Sequence, residues 1–241
     1  MSIVSPYKQT DVSKKDQVKA MFDSIAPRYD FLNHFLSLGI DKRWRKKAIR
    51  LLQNEQPKTI LDIATGTCDF AIEALKLQPD SIIGIDISDE MLNIGRKKIK
   101  QINAENKIKL LSGDSEKINF NADSFDAITA GFGVRNFENL SKGLSEIYRV
   151  LKKNGTIVVL EFSTPEKFPV RQLYHFYFRN ILPVIGKIIS KDNRAYHYLP
   201  ESVKAFPSGK DFIKLLNETG FVHTKCIPLT FGIVSIYTGK K

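Results

Sequence analysis

The sequence predicts an α/β fold: a seven-stranded, mostly parallel sheet with an antiparallel edge hairpin, an N-terminal helical cap and an inserted aromatic helix. Three observations carry that expectation. Short apolar runs alternate with amphipathic stretches from Thr59 to Phe162, the rhythm of right-handed strand–helix–strand crossovers. The run Ile60-Leu61-Asp62-Ile63 passes through Ala64-Thr65-Gly66-Thr67-Cys68-Asp69 into a helix-like pattern. A buried parallel strand does this when it presents backbone N–H groups and a helix N-terminus to a ligand. Two strand-like runs close the chain with no helix between them, so they are expected to pair antiparallel.

The 241 residues suffice for one sizeable core, and 42% hydrophobic with 26% charged residues is ordinary for a globular chain. No apolar run approaches the length of a membrane span, and the N-terminus lacks a charged region followed by an apolar one. Cys68 and Cys226 are too few for a disulfide framework or a metal cluster, so a reducing cytoplasm and no metal are expected. A net charge of +11 favours anionic partners: nucleic acid, anionic lipid headgroups or acidic ligands. A solvated basic surface explains the same charge, and with no block of five like charges a nucleic-acid tail is not indicated.

In chain order, residues 1–57 read as a polar leader and a helical cap. Val18, Met21, Phe22 and Ile25 recur at helical spacing, Pro27 is expected to end that helix, and Arg28-Tyr29-Asp30 to form a turn. The aromatic and apolar run Phe31–Gly39 follows. Asp41 is expected to cap a second helix, with Trp44, Ala48, Leu51 and Leu52 on one side and Lys42, Arg43, Arg45, Lys46 and Lys47 around the other.

Residues 58–164 form the sheet-building half. Strands are expected at Thr59–Ile63, Ser81–Asp86, Ile108–Leu111, Phe125–Ala130 and Thr156–Phe162. Phe70, Ala74 and Leu77 face the core after the first strand. Ser88 caps a helix with Asp89 and Glu90 in its first turn and Arg96, Lys97, Lys98 and Lys100 towards its end, as the helix dipole favours. Leu140, Leu144, Ile147 and Leu151 mark a later helix, and Asn154-Gly155 a turn. From 165 to 207 the rhythm breaks into an apolar, aromatic insertion from Phe168 to Ser190, interrupted by Pro183. Ser208 with Asp211 resembles a capping box before Phe212, Leu215 and Leu216. Strands near Val222–Ile227 and Phe231–Tyr237 close a single domain.

Ligands of open α/β sheets sit beyond the carboxyl ends of the strands. Four polar endings converge there: Asp62 to Asp69, Asp86, Asp114-Ser115 and Ala130-Gly131. Asp86 lies 24 residues after Asp62, near the distance at which a second-strand acid takes both ribose hydroxyls. Asp114 stands where an adenine amino group can be reached, and Gly66 lets the backbone approach closely. A dinucleotide needs G-x-G-x-x-G, and here Gly66 is alone. An acid at the turn, Asp62 or Asp69, repels phosphate but attracts the sulfonium and ammonium of S-adenosylmethionine. The plain alternative is that Asp62 and Asp86 only cap helices.

These residues carry a resemblance. Leu61-Asp62-Ile63-Ala64-Thr65-Gly66-Thr67, Gly84-Ile85-Asp86-Ile87-Ser88 and Met91-Leu92 look like Rossmann-like class I S-adenosylmethionine-dependent methyltransferases. Phe22-Asp23-Ser24-Ile25-Ala26-Pro27-Arg28-Tyr29-Asp30 is similar to an N-terminal signature of quinone-biosynthetic C-methyltransferases. Gly131-Phe132-Gly133-Val134-Arg135-Asn136, Tyr148-Arg149-Val150-Leu151-Lys152 and Leu160-Glu161-Phe162-Ser163 are similar to further motifs of that family. It comprises demethylmenaquinone and 2-polyprenyl-benzoquinol methyltransferases, and the likeness runs from about Val18 to the C-terminus.

The resemblance implies S-adenosyl-L-methionine as cofactor and a prenylated hydroquinone as substrate, with a lean towards demethylmenaquinol through Arg171–Arg179. Thr67, Asp86, Asp114 and Ser115 match cofactor-contacting positions. Asp62, Ala64, Gly66, Ile87, Met91 and Gly131 complete the expected binding set, Gly131 standing where some members carry serine. Cys68 replaces a commoner glycine or alanine and reads as an inert buried thiol. For the proton leaving the ring hydroxyl, Arg135 is the first candidate because it follows the glycine turn of the fourth strand. Asn136, Tyr29 and Asp30 come next, and His175 reads more naturally as packing. Tyr174–Phe178 is core or substrate wall. The basic helix Lys42–Lys47 is a solvated face or a peripheral contact with anionic headgroups at the inner face of a membrane. The rivals are an O- or N-methyltransferase, a basic nucleic-acid- or membrane-binding module, and a nucleic-acid methyltransferase. Amino-group methylators commonly carry an Asp/Asn-Pro-Pro-aromatic loop after the fourth strand, where Ala130–Asn136 has no proline.

Overall fold

A computed structural model describes residues 4–177, 180 and 194–241, with backbone alone at 32, 35, 36, 175 and 194–197. The seven strands are β1 (Thr59–Ile63), β2 (Ser81–Asp86), β3 (Ile108–Ser112), β4 (Phe125–Gly131), β5 (Leu151–Phe162), β6 (Val222–Leu229) and β7 (Val234–Lys240). They form one sheet in the order β3-β2-β1-β4-β5-β7-β6. β1 to β5 are parallel, and β7 runs antiparallel to both β5 and β6. Strand order reverses between β1 and β4, so the ligand crevice falls at their carboxyl ends.

Alternation along each strand divides the core into two layers. Ile60, Ala127, Val158 and Leu160 face Trp44, Ala48, Leu52, Phe70 and Leu92. Leu61, Ile63, Ile128 and Val159 face Leu144, Ile147, Phe212, Leu216 and Tyr237. The covering helices are α2 (Ile40–Arg50), α3 (Asp69–Ala74), α4 (Asp89–Gln101), α5 (Leu140–Val150) and, late in the chain, Lys210–Thr219. Ser88 caps α4 as expected, its Oγ accepting from Met91 N at 3.2 Å. Among the described residues, no helix is long and apolar enough to cross a membrane.

Several expected boundaries move. α1 runs from Lys14 to Leu36 straight through Pro27, so Tyr29 and Asp30 lie on a helix and not in a turn. An interior proline costs about 3 kcal/mol. The nearly complete burial of Val18, Met21 and Ala26 outweighs it, at ~1.5–3 kcal/mol for a large side chain. Asp41 does not cap α2: Gly39 does, with φ 73°, and Asp41 in the first turn accepts from Ser37 and Arg45. Leu151 opens β5 and does not end α5. Asn154-Gly155 is absorbed as an irregularity within β5, between the pairs Phe125↔Leu151 and Ala127↔Thr156. Ser208 forms no capping box, because Gly209 occupies the cap and donates its N–H to Tyr237 Oη at 2.7 Å. Phe231 sits in the turn Thr230–Gly232, 81% exposed, and not in the last strand.

Of the expected insertion, α6 (Val170–Phe176) and α7 (Arg194–Ala205) are seen, and the Lys210–Thr219 helix is α8. Residues 181–193, with Ile181, Leu182 and Pro183, lie outside the described residues, as do Phe178 and the His175 side chain. Tyr198 of α7 packs against Val18 and Met21 of α1. The cap and the insertion therefore meet over the sheet's carboxyl edge.

Candidate active site

A cleft opens where β1, β2, β3 and β4 end. Its floor includes Ala64 and Gly66 after β1, Asp86 and Ile87 at β2, Met91 of α4, Asp114 and Ser115 after β3, and Gly131 of β4. Lys15, Val18, Phe22 and Tyr29 of α1 roof it. All eight of these floor positions were expected at the cofactor and, in the roof, Tyr29 was expected at the site as a catalytic candidate; Lys15, Val18 and Phe22 were not expected at the cleft, because only tertiary packing brings α1 there.

Asp86 is the polar centre. It is buried, Oδ2 accepting from Gly66 N and Oδ1 from Ser88 N, each at 2.8 Å. Burial pushes its carboxyl above the ordinary range, against the lowering effect of backbone N–H donors. Gly66 has φ 54°, and a Cβ there would meet no atom within 4 Å, so the turn leaves open space beside the carboxylate.

The acid expected to attract a sulfonium does not reach the cleft. Asp62 is fully buried, with Oδ2 accepting from Thr65 Oγ1 and Oδ1 from Thr129 Oγ1, both at 2.6 Å. Its place is to lock the β1 turn onto β4, and burial pushes its carboxyl up to about 6. Asp69 is neutralised by Lys98 at 2.5 Å and Arg45 at 3.2 Å. Thr67 also turns from the cleft, donating to Asp30 Oδ1 at 2.5 Å, while Lys98 Nζ lies 2.7 Å from Asp30 Oδ2. Asp30 thus pins α1 to the turn and lines neither cavity. Cys68 is fully buried and its thiol is raised by burial, as an inert group should be.

A second cavity of about 500 Å³ lies on the other side of Phe22, Tyr29 and Phe132, which line both. Trp44, Phe162, Leu173, Tyr174 and Tyr198 contribute to its largely apolar wall. The 3-10 turn Val134–Asn136 divides its side chains between the two spaces: Asn136 lines the cleft, Arg135 the cavity. Asn136 Oδ1 accepts from Tyr198 Oη at 3.1 Å. Arg135 Nη1 lies 2.8 Å from Glu161 Oε1, and its guanidinium stands 5.4 Å over the Phe162 ring. Burial raises the Tyr29, Tyr174 and Tyr198 hydroxyls above the ordinary phenol range, so each is a donor at neutral pH.

The model of the ubiE/COQ5 methyltransferase family matches residues 10–241. The chain belongs to that family. A demethylmenaquinone methyltransferase of Bacteroides fragilis is 49% identical over 99% of this chain and 97% of its own length. A ubiquinone/menaquinone biosynthesis C-methyltransferase of Geotalea daltonii is 47% identical over 95% and 97%. Among solved structures, an S-adenosylmethionine-dependent methyltransferase of Thermotoga maritima, a possible histamine N-methyltransferase, superposes with TM-score 0.65. It is 20% identical, over 92% of this chain and 99% of that one. That likeness concerns the fold alone, and it bears out the Rossmann-like sheet with its antiparallel edge. The residues of the ubiE/COQ5 cleft fit an adenosyl cofactor. A buried carboxylate ends β2, open space faces Gly66, and no triple-glycine cradle for a pyrophosphate is present in the β1 turn.

Proposed function

We propose that the chain transfers a methyl group from S-adenosylmethionine to a ring carbon of a prenylated hydroquinone, most specifically demethylmenaquinol. One observation carries this reading: an aromatic cavity of about 500 Å³ shares Phe22, Tyr29 and Phe132 with the cofactor cleft. A flat bicyclic ring fits between aromatic faces there, with its tail directed along apolar wall. The Bacteroides fragilis relative and one from Porphyromonas gingivalis, 42% identical, are both named for demethylmenaquinone. The Geotalea daltonii relative's name covers both quinone classes, and a benzoquinol is the second reading.

The bound cofactor would supply an electrophilic methyl group. Asp86 would hold its ribose hydroxyls, Asp114 its adenine amino group, and Met91 and Ile87 the adenine faces. Thr67 and Asp62 hold the turn on which these contacts depend. Alignment of two bound reactants contributes on the order of 7–11 kcal/mol. Electron release from the ring hydroxyl makes the neighbouring carbon nucleophilic, and more so as the proton departs. The Arg135 guanidinium would stabilise the charge left on that oxygen. Tyr29 lines both spaces and Asn136 lines the cleft while accepting from Tyr198 of the second cavity; there they would orient ring and proton path, and Asp30 keeps α1 in register. The aromatic wall keeps water out.

The cavity's outer edge supports peripheral contact with a membrane. Leu38 and Phe231 line it and are 84% and 81% exposed, and Lys42 and Arg43 are exposed one turn along α2. Deleting the gene and analysing cellular quinones by mass spectrometry tests the whole reading. Accumulated demethylmenaquinone, restored to menaquinone by the plasmid-borne chain, is expected; an unchanged quinone profile overturns it.

A further inference from the structure

Glu161 is fully buried near the end of β5, a strand otherwise apolar through Ile157–Leu160. Its carboxylate accepts three N–H groups: Arg135 Nη1 at 2.8 Å and Phe162 N at 2.9 Å on Oε1, and Arg135 N at 3.3 Å on Oε2. Arg135 Nη1 also donates to the Phe132 carbonyl. Both ends of Arg135, backbone and guanidinium, are therefore held by one side chain. Arg135 Nε is buried and has no partner among the described residues, and Arg135 lines the second cavity.

A buried ion pair is a poor source of net stability, and orphaned buried donors are rare. The fold alone explains neither the charged residue in the strand nor the spare N–H. We infer that Glu161 is a positioning residue: it clamps Arg135 so that the guanidinium faces the ring oxygen of the acceptor in the second cavity, with the buried Nε–H as its reporter. The inference rests on the hydroquinone reading and deepens it. Gln at 161 offers one acceptor oxygen where three N–H groups converge, and its NH₂ must face one of them. Asp keeps both acceptors and loses only reach.

The test uses the full chain labelled with ¹⁵N-arginine, the Arg135 Nε–H resonance being assigned by its loss in R135K. Adding 1-naphthol, a redox-inert mimic of the ring hydroxyl, is expected to shift that resonance in the wild type and not in E161Q. With a short-tailed demethylmenaquinol, E161Q is expected to lower kcat about 10²-fold. KM should stay within about threefold, since the contact strengthens as charge develops on the oxygen. E161D should fall between E161Q and the wild type.

A folded E161Q with wild-type kcat, or an Nε–H resonance unmoved at saturating naphthol, overturns the inference. If E161Q fails to fold, E161D kinetics and the wild-type titration decide by the same criteria. A wild-type chain that methylates no hydroquinol overturns the substrate reading instead, and the titration still decides where the guanidinium points.

Discussion

Lys15 Nζ lies 2.6 Å from Asp114 Oδ2, so the first helix is tied to the far wall of the cofactor cleft. Further along α1, Lys19 Nζ donates to the Ile87 carbonyl at 2.8 Å, and Asp23 accepts from Ser88 Oγ at 2.6 Å. The helix is a roof held by polar tethers at successive turns. A cofactor that passes under α1 has to loosen them.

Lys15→Ala is accordingly expected to speed both association and dissociation of S-adenosylhomocysteine by about two- to fivefold, with little change in affinity. A partly exposed ion pair is worth at most ~1 kcal/mol, which sets that range and leaves the fold intact. Stopped-flow fluorescence reads both rates. Unchanged rates would mean that the roof moves independently of this tether.

Asp86→Asn replaces a carboxylate with one neutral acceptor while preserving shape. Bonds to a charged acceptor contribute about 1.5–3 kcal/mol, so the Kd for S-adenosylhomocysteine should rise roughly 10- to 10²-fold. Calorimetric titration at neutral pH measures this directly. A Kd within about threefold of wild type would remove Asp86 from the cofactor's contacts.

Asp62 yields a pH signature. Burial moves its carboxyl from the ordinary 3.8 to about 6, so the folded chain holds this proton more tightly than the unfolded one. Its contribution favours folding fully below pH 4 and is lost as pH rises through 6, for a total of about 3 kcal/mol. In Asp62→Asn the Thr65 and Thr129 hydroxyls can turn to accept from the amide, and no carboxylate is left to desolvate. The unfolding free energy of Asp62→Asn relative to wild type should therefore rise between pH 4 and 7. A difference flat across that range in urea titrations would contradict the burial cost.

The two carboxylates show what was legible in the sequence. Asp86 ends a strand before a Ser-capped helix, a local pattern, and its place at the cleft followed from it. Asp62 carries the same strand-end signal, yet its partner Thr129 comes from the β1–β4 register, in which Asp62 stands beside Thr129. That register is set by tertiary packing. Arg135 and Glu161 likewise meet only because β4 and β5 are neighbours, although a lone acid inside an apolar strand was a visible signal. Pro27 misled for the opposite reason, since a local rule yielded to burial of Val18, Met21 and Ala26. The roof over the cleft and the aromatic cavity were legible only in fragments, Tyr29 and the Tyr174–Phe178 stretch, because α1, α2, α6 and α7 bring their walls together from distant parts of the chain.

The exposed rim of that cavity leads to the last prediction. Leu38 and Phe231 stand at its edge, 84% and 81% exposed. Moving a large apolar side chain from water into a lipid interface gains ~1.5–3 kcal/mol at full burial. Lys42 and Arg43 add roughly 1 kcal/mol each near an anionic surface, a contribution that salt removes. The double variant Leu38→Ser, Phe231→Ser should lower partition onto phosphatidylglycerol vesicles by at least about tenfold, at low and high salt alike. Lys42→Ala, Arg43→Ala should weaken binding at low salt only. Turnover of a short-tailed, water-dispersed quinol should stay near wild type in Lys42→Ala, Arg43→Ala, whose residues line neither space, whereas turnover of long-tailed quinol held in vesicles should fall with binding in both double variants. Flotation gradients measure the first quantity and methyl transfer the second. Vesicle binding untouched by both pairs would show that this rim does not meet the bilayer.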